Sequence, residues 1–325
     1  MPQSQNPPRA REFWAGKKIL VTGASGFVGS NLTPLLRESG GELITPSHAD
    51  ADLLEQARVR SLLERHRPEY VFHLAGLIGG IGANKARPAD FCYQNLLMGA
   101  VMLHESWRAG VRKYITLMGG CSYPAHAPSP IKETELFHGM PQAESAPYSL
   151  AKAMSAVQAE AYRRQHGFDA IVLVPGNLYG PFDNFDLNNS HVIPALIRKF
   201  LEARAGNKPE VVAWGSGRPT RDFVYIQDAC EVILTAAERY HGSDIINISS
   251  GTAVSIRELT ETVAELTGYR GKVVWDASKP DGQLYKGFDV TRMREILGCE
   301  CRTGLREGLR KTIDWFLSKP AGLRL

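Results

Sequence analysis

The sequence predicts an α/β fold: a doubly wound parallel sheet covered by helices on both faces, with a smaller interleaved C-terminal lobe. Three observations predict it. Short β-branched runs alternate with stretches whose apolar residues recur at helical spacing, the first strand stops on a glycine-rich turn that opens into a helix, and the alternation breaks after Pro175 into a polar, turn-rich segment. Residues 1–14 open with a stretch rich in Pro, Gln and Asn that lacks the apolar core of a secretory signal, and are expected to be a solvated, disordered tail. Residues 17–22 then read as a buried strand ending at glycine. The turn Gly23-Ala24-Ser25-Gly26-Phe27-Val28-Gly29 follows, with a helix over 30–39 stopped by Gly40-Gly41. A strand over 42–45 leads through the polar segment 46–52 to a helix over 53–65, and a third strand covers 70–75. Helices over 93–109 and 149–166 precede strands over 114–118 and 170–174. Beyond Pro175, residues 176–184 are dense in turn formers and mark the exit into the second lobe. There, helical patterns cover 192–203, 226–239 and 255–267, and strand-like pieces cover 211–214, 222–225, 245–248 and 272–275. One amphipathic helix over 305–317 closes the chain. No repeat or low-complexity linker separates the lobes, so they are expected to interleave: 15–175 with a return at about 222–250, and 176–221 with 251–325.

Composition narrows the function. The 325 residues are 43% hydrophobic and 22% charged, ordinary globular material with a substantial core. No run approaches the roughly 18 apolar residues of a membrane helix. The formal charge of +4, from 38 basic and 34 acidic residues, suits an anionic small molecule and is too small to argue for nucleic acid. Five scattered cysteines, Cys92, Cys121, Cys230, Cys299 and Cys301, form neither a disulfide framework nor a zinc site, which makes the cytoplasm the expected compartment and leaves no metal in the reading.

Two motifs carry chemistry. Glycines in the first turn allow a tight bend, close approach of backbone to a pyrophosphate and close packing of helix on strand, with phosphate resting on the helix N-terminus. The spacing is G-x-x-G-x-x-G instead of G-x-G-x-x-G, and a plain tight turn is the bland alternative. On this reading 15–175 is a dinucleotide-binding domain and the second lobe binds substrate. Asp52 either touches the adenine or N-caps a helix beginning at Leu53. The second motif is Tyr148 and Lys152, four apart and so on one helix face. An ammonium beside a phenol favours phenolate and lowers the tyrosine pKa toward a value useful for proton transfer to a carbonyl. Alone, such a pair is usually a surface contact; its place at a helix start, downstream of a glycine turn, makes it a candidate catalytic pair.

A longer ordered set joins these motifs: His73-Leu74-Ala75 with Gly79-Gly80-Ile81-Gly82-Ala83-Asn84, Pro88-Ala89-Asp90-Phe91, Asn95-Leu96 and Cys121-Ser122-Tyr123-Pro124. It continues with Asn177-Leu178-Tyr179-Gly180-Pro181, Asp183-Asn184-Phe185, residues 190–197 and Trp214-Gly215-Ser216-Gly217. On these residues the chain resembles the extended short-chain dehydrogenase/reductases and, among them, the GDP-L-fucose synthases and related nucleotide-sugar epimerases, from about residue 17 to 225 and more loosely to the end. The resemblance implies a Rossmann-like fold, a nicotinamide cofactor, NADP or NAD, a nucleotide-diphosphate sugar substrate linked to GDP, and a homodimer built on the helices over 93–109 and 149–166. It implies that Tyr148 donates a proton to a keto oxygen, that Lys152 tunes it and holds the nicotinamide ribose, and that Cys121 and His191 are an epimerisation pair. Implied cofactor contacts are Gly23, Ser25, Gly26, Phe27, Val28 and Gly29 in the turn, Ser47, His48, Asp52 and Leu53 after the second strand, then Leu74, Ala75, Gly76, Asn95, Pro175, Asn177 and Leu178, with Tyr148, Lys152 and His191. Implied substrate contacts are Cys121, Ser122, Asn177, His191, Val192, Lys199, Trp214 and Arg221. The chemistry is sensible in itself, because a carbon beside a 4-keto group is acidic enough for a positioned base, and a second residue can return the proton on the other face. The bland alternatives are a small buried hydrophobe for Cys121, a structural histidine for His191 and a surface ion pair for Arg221.

Two departures from the family pattern stand out. Gly119 occupies the place of the family's serine that shares the substrate oxygen with the tyrosine, and loss of one such donor typically costs ~10²–10³ in rate unless a water, Ser122, Thr116 or a substrate hydroxyl replaces it. Ser25 and Pro46-Ser47-His48 stand where fucose synthases hold the 2′-phosphate of NADP with arginines, and no acidic residue closes the second strand, so NADP and NAD are both open. The expected activity is epimerisation beside the ketone of a GDP-4-keto (deoxy)hexose or heptose, with reduction at carbon 4. One alternative is an epimerase without net reduction, favoured by Gly119. Another is a non-catalytic dinucleotide-binding protein, against which the joint presence of Tyr148, Lys152, Cys121 and His191 argues.

Overall fold

A computed structural model describes residues 12–187, 189–278, 281, 283–319, 323 and 325. In chain order its larger lobe runs β1 (Lys18–Thr22), α1 (Phe27–Glu38), β2 (Glu42–Ile44), α2 (Gln56–His66), β3 (Tyr70–His73), α3 (Ile81–Ala86), α4 (Pro88–Arg108), β4 (Lys113–Leu117), α5 (Ala146–His166) and β5 (Ala170–Pro175). Beyond Pro175 come β6 (Asn177–Tyr179), α6 (Val192–Ala205), β7 (Glu210–Trp214), β8 (Thr220–Tyr225), α7 (Ile226–Arg239) and β9 (Ile246–Ile248). The chain finishes with β10 (Ala253–Ser255), α8 (Ile256–Thr267), β11 (Lys272–Asp276), β12 (Tyr285–Lys286), α9 (Thr291–Leu297) and α10 (Leu305–Leu317).

The principal sheet has the order β2-β1-β3-β4-β5-β9, and every pairing in it is parallel. Its central strands are apolar on both faces: Tyr70–His73 and Ala170–Pro175 are buried throughout, as a parallel sheet sandwiched between helices requires. One face packs Leu32 and Leu36 of α1 with Ile226, Ala229 and Ile233 of α7. The other packs Val59, Leu62 and Leu63 of α2 with Val101, Met102 and Leu103 of α4 and Ala153 of α5. Each such buried Val, Leu, Ile or Met side chain contributes about 1.5–3 kcal/mol. A third cluster, with Phe185, Ile197, Phe200, Leu259, Val263, Leu309 and Ile313, is the core of the second lobe.

The lobes interleave more finely than the sequence boundaries. Strand β9 returns to pair with β5, whereas residues 222–225 lie in β8, which pairs with β6, β10 and β12 and turns Phe223 and Tyr225 to the core of the second lobe but Val224 to that of the larger. Conversely Val290, Met293 and Leu297, in and beside α9, pack into the core of the larger lobe. The expected tail also stops short of residue 14. Trp14 is completely buried, its ring edge-on to Tyr70 at 5.1 Å, and its Nε1 donates to Glu238 Oε1 at 2.7 Å; the earlier tail residues 1–11 lie outside the described residues. Helix α2 begins at Gln56, not at Leu53, because the Asp52 carboxylate first accepts from Leu54 N at 3.0 Å and closes a turn ahead of it.

Candidate active site

The chain runs from β1 outward to β2 and then back past β1 to β3, so the strand order reverses at the carboxyl ends of β1 and β3, where folds of this type leave a crevice. A cavity of about 910 Å³ opens there. Its walls are the turn 23–29, the segment after β3, the segment after β4 with Gly119 and Cys121, the N-terminal turn of α5, and Pro175–Leu178. The second lobe closes it with His191, Val192, Trp214, Arg221 and Lys286.

At one end the cavity is a backbone cradle. Gly23 has φ +69°, and a Cβ on it would sit 2.7 Å from Ala75 N; a Cβ on Gly29 would sit 2.2 Å from Gly23 O. The turn and helix are therefore packed as closely as glycine allows. The N-cap of α1 is Gly26, without a side-chain cap, so the first-turn amides present their donors with no side-chain acceptor of their own. That is the donor set a pyrophosphate fits, and Ser25, Gly26, Phe27, Val28, Leu74, Ala75 and Gly76 all line this end.

At the other end the wall is made of titratable side chains. Tyr148 and Lys152 stand one turn apart on α5, and the Tyr148 ring is edge-on to Phe91 at 6.1 Å. Burial pushes the Tyr148 hydroxyl up and Lys152 down, the latter to about 8. Burial thus outweighs the expected lysine effect: the resting tyrosine is a neutral phenol, poised to give a proton. Behind them His73, fully enclosed at the end of β3, hydrogen-bonds the Thr22 hydroxyl through Nδ1 at 2.8 Å. Burial, helped by the Lys152 charge, drops its pKa to about 3, so its imidazole is neutral. Cys121 lies in a 3₁₀ turn (Gly120–Ser122) after β4. A Cβ on Gly119 would lie 3.1 Å from Cys121 Sγ and 3.8 Å from the Tyr148 hydroxyl, so thiol and phenol flank that glycine. His191 is the N-cap residue of α6 and faces the same cavity from the second lobe.

Most of the sequence-predicted residues meet here: the glycine turn, Leu74, Ala75, Gly76, Cys121, Tyr148, Lys152, Pro175, Asn177, Leu178, His191, Val192, Trp214 and Arg221 all line the cavity. Asn177 also ties β6 to β8, its Nδ2 donating to Asp222 O at 2.9 Å. Arg221 is lodged among backbone carbonyls, donating to Thr220 O at 2.7 Å and Gln283 O at 2.6 Å, and burial lowers its pKa.

Others are placed differently. Ser122 is turned away: its buried hydroxyl donates to Ser149 O at 2.8 Å, so that proton is not free to stand in for the missing serine, and Ser122 does not line the cavity. Thr116 is likewise committed, donating to His73 O at 3.1 Å. Asn95 braces the wall from behind, with Oδ1 accepting from Leu77 N at 3.1 Å and Nδ2 donating to Leu77 O at 3.0 Å. Lys199 does not line the cavity; its ammonium lies 5.2 Å from the centroid of the Trp214 ring. Ser47, His48, Asp52 and Leu53 lie outside the cavity lining, in the segment leaving β2, with Leu53 packed on the core. Lys286, on β12, was missed. It lines the cavity with Cys121 and Arg221 close enough to act on its charge, and burial holds its pKa below the ordinary lysine value. A single lysine in a polar stretch carries no spacing signal; a two-residue pairing of β12 with β8 puts it there.

No helix among the described residues is long and apolar enough to cross a membrane. Residues 19–249 match the family described as the NAD dependent epimerase/dehydratase family. The chain is 42% identical over 301 residues to GDP-L-fucose synthase 1 of Arabidopsis thaliana, covering 92% of this chain and 93% of that one. It is 39% identical over 311 residues to the GDP-L-fucose synthase of Escherichia coli K12, covering 93% and 97%. Among solved structures, it is similar to a GDP-mannoheptose C4 reductase from Campylobacter jejuni with NADP bound, with a TM-score of 0.85, 30% identity, and coverage of 93% and 98%.

Proposed function

The chain belongs to the NAD dependent epimerase/dehydratase family, and from that premise we propose that it is an epimerase/reductase of a GDP-linked 4-keto (deoxy)hexose or heptose. It inverts a carbon beside the ketone and reduces carbon 4 with a nicotinamide dinucleotide, NAD or NADP. The observation that carries the reading is the convergence of Tyr148, Lys152, Cys121 and His191 on a single cavity whose other end is an uncapped helix N-terminus behind a glycine turn. Relatives named for fucose, colitose and heptose GDP-sugars support the substrate class.

When bound, the nicotinamide supplies the hydride. The residues of the chain do the rest. Cys121 and His191 serve as the base and acid of the inversion, one removing the proton beside the ketone and the other returning a proton from the opposite face. The thiol and the phenol flank Gly119, which supports a reading in which the carbon-bound proton is removed next to where the oxygen is protonated. Tyr148 gives its proton to the keto oxygen as negative charge develops there, and the ammonium of Lys152 stabilises the phenolate left behind. With Ser122 and Thr116 both committed, the second donor to that oxygen is a water or a hydroxyl of the sugar itself. Lys286, Arg221 and Trp214 line the second-lobe side, where cations and an indole face suit a diphosphate and a base.

The test is incubation of the purified protein with a GDP-4-keto-6-deoxymannose substrate and reduced cofactor in deuterium oxide, following cofactor absorbance and deuterium uptake together. Cofactor oxidation with deuterium at the carbon beside the ketone is the expected result. Deuterium without oxidation selects the second reading, an epimerase without net reduction, which Gly119 favours; silence in both with this and with a heptose analogue contradicts the proposal. The same reading includes a homodimer through α4 and α5, supported by exposed Tyr93, Leu96, Met154 and Val157 on those helices, and a cytoplasmic location, supported by five free cysteines.

A further inference from the structure

We propose that this chain takes the unphosphorylated dinucleotide, NAD(H), in preference to NADP(H), and that Ser25 with the loop 45–52 makes the choice. The inference rests on the dinucleotide-binding reading of the cavity. In doubly wound folds the adenosine ribose lies where the glycine turn meets the segment leaving the second strand. Its 2′ position is read there either by groups that hydrogen-bond a hydroxyl or by a cation that neutralises a phosphate. In this chain β1 and β2 are paired neighbours, with Leu20 opposite Ile44, so the turn carrying Ser25 and the loop 45–52 leave the same edge of the sheet from adjacent strands.

A 2′-phosphate brings a charge of about −1.5 to −2 and needs a compensating cation. Neither residues 23–29 nor residues 42–57 contain a lysine or arginine. The next cation along, Arg58, has its Nε 3.6 Å from the Glu55 carboxylate. What the loop presents instead is acid. The Asp50 carboxylate accepts from Ser47 N at 2.8 Å and from the Ser47 hydroxyl at 2.7 Å, and those bonds hold it below the ordinary carboxylate range, hence ionised. Asp52 is fixed by its bond from Leu54 N at 3.0 Å. The loop's single basic side chain, His48, projects into solvent with its Nε2 3.9 Å from that same Asp52 carboxylate. A 2′-phosphate on this edge finds no lysine or arginine in either segment to neutralise it and adds its charge to that of two carboxylates, whereas a ribose hydroxyl brings no charge to be neutralised.

The test is equilibrium binding of NADH and of NADPH to the purified protein by calorimetry, at about 0.1 M salt so that surface charges are screened over roughly 10 Å. NADH is expected to bind at least tenfold more tightly than NADPH. Ser25→Arg is expected to raise the NADPH to NADH affinity ratio at least tenfold, with circular dichroism confirming the fold. Equal or tighter binding of NADPH overturns the proposal and leaves the dinucleotide reading standing. Binding of neither overturns both, and an unchanged ratio in a folded Ser25→Arg protein removes Ser25 from the discriminating set.

Discussion

At the glycine turn the cavity presents backbone, whereas at the α5 wall it presents titratable side chains, and the two ends are vulnerable in different ways. The cradle presents amide donors and close packing, so a β-carbon harms it more than a change of charge does: Gly23 and Gly29 leave no room, while Ser25 between them already carries a side chain and lines the cavity. The catalytic wall works through groups whose protonation is set by enclosure. Tyr148 is held neutral, Lys152 is drawn down to about 8, and His73 is kept uncharged. There a single heteroatom matters more than volume. Loss at the first end should appear as loss of binding, and loss at the second as loss of a chemical step with binding retained.

The sharpest contrast should come from Cys121→Ser, expected to slow deuterium exchange beside the ketone by ~10²–10³ with dinucleotide affinity unchanged. Exchange rates followed by mass spectrometry check it, and normal exchange would remove Cys121 from the mechanism. At the opposite end, Gly29→Ala should weaken dinucleotide binding by ~10²-fold and destabilise the fold by about 1–3 kcal/mol, because its methyl would lie 2.2 Å from Gly23 O and 2.6 Å from Ala24 Cα. Calorimetry and thermal melting measure the two effects together.

A pH titration sharpens the comparison next. On the proposed roles the ammonium of Lys152 is the useful form, and burial lowers its pKa, so that form is present below about 8 and is lost as pH rises through it. Single-turnover reduction should therefore fall about tenfold per unit at higher pH, while dinucleotide binding by the cradle's backbone amides changes far less. The smallest effect is expected from Gly119→Ser. The added carbon would press Cys121 Sγ at 3.1 Å and lie 3.8 Å from the Tyr148 hydroxyl, so reduction should be unchanged or up to about tenfold faster. A drop of more than tenfold would mean that the sugar itself fills that space.

The backbone end was the legible one. Strand, glycine turn and helix are local patterns, and β1, α1 and the central strands lie within a few residues of their expected places. The side-chain end was legible only where two groups share a helix turn, as Tyr148 and Lys152 do. Polar residues whose partners are distant in sequence went astray: Ser122 spends its hydroxyl on Ser149 O, Asn95 braces residue 77, and Lys199 lies against Trp214. Lys286 escaped notice because only tertiary pairing brings it to Cys121's wall, and Trp14 because a polar tail gave no sign that its last aromatic pair folds under β3.

The central claim is that inversion and reduction are separate steps run by different side chains in one cavity, and Tyr148→Phe tests it most directly. In deuterium oxide with the GDP-4-keto sugar and reduced cofactor, this variant should lose reduction by ~10³ or more while still exchanging the proton beside the ketone at close to the normal rate. Parallel loss of both would contradict the division of labour and make Tyr148 part of the inversion.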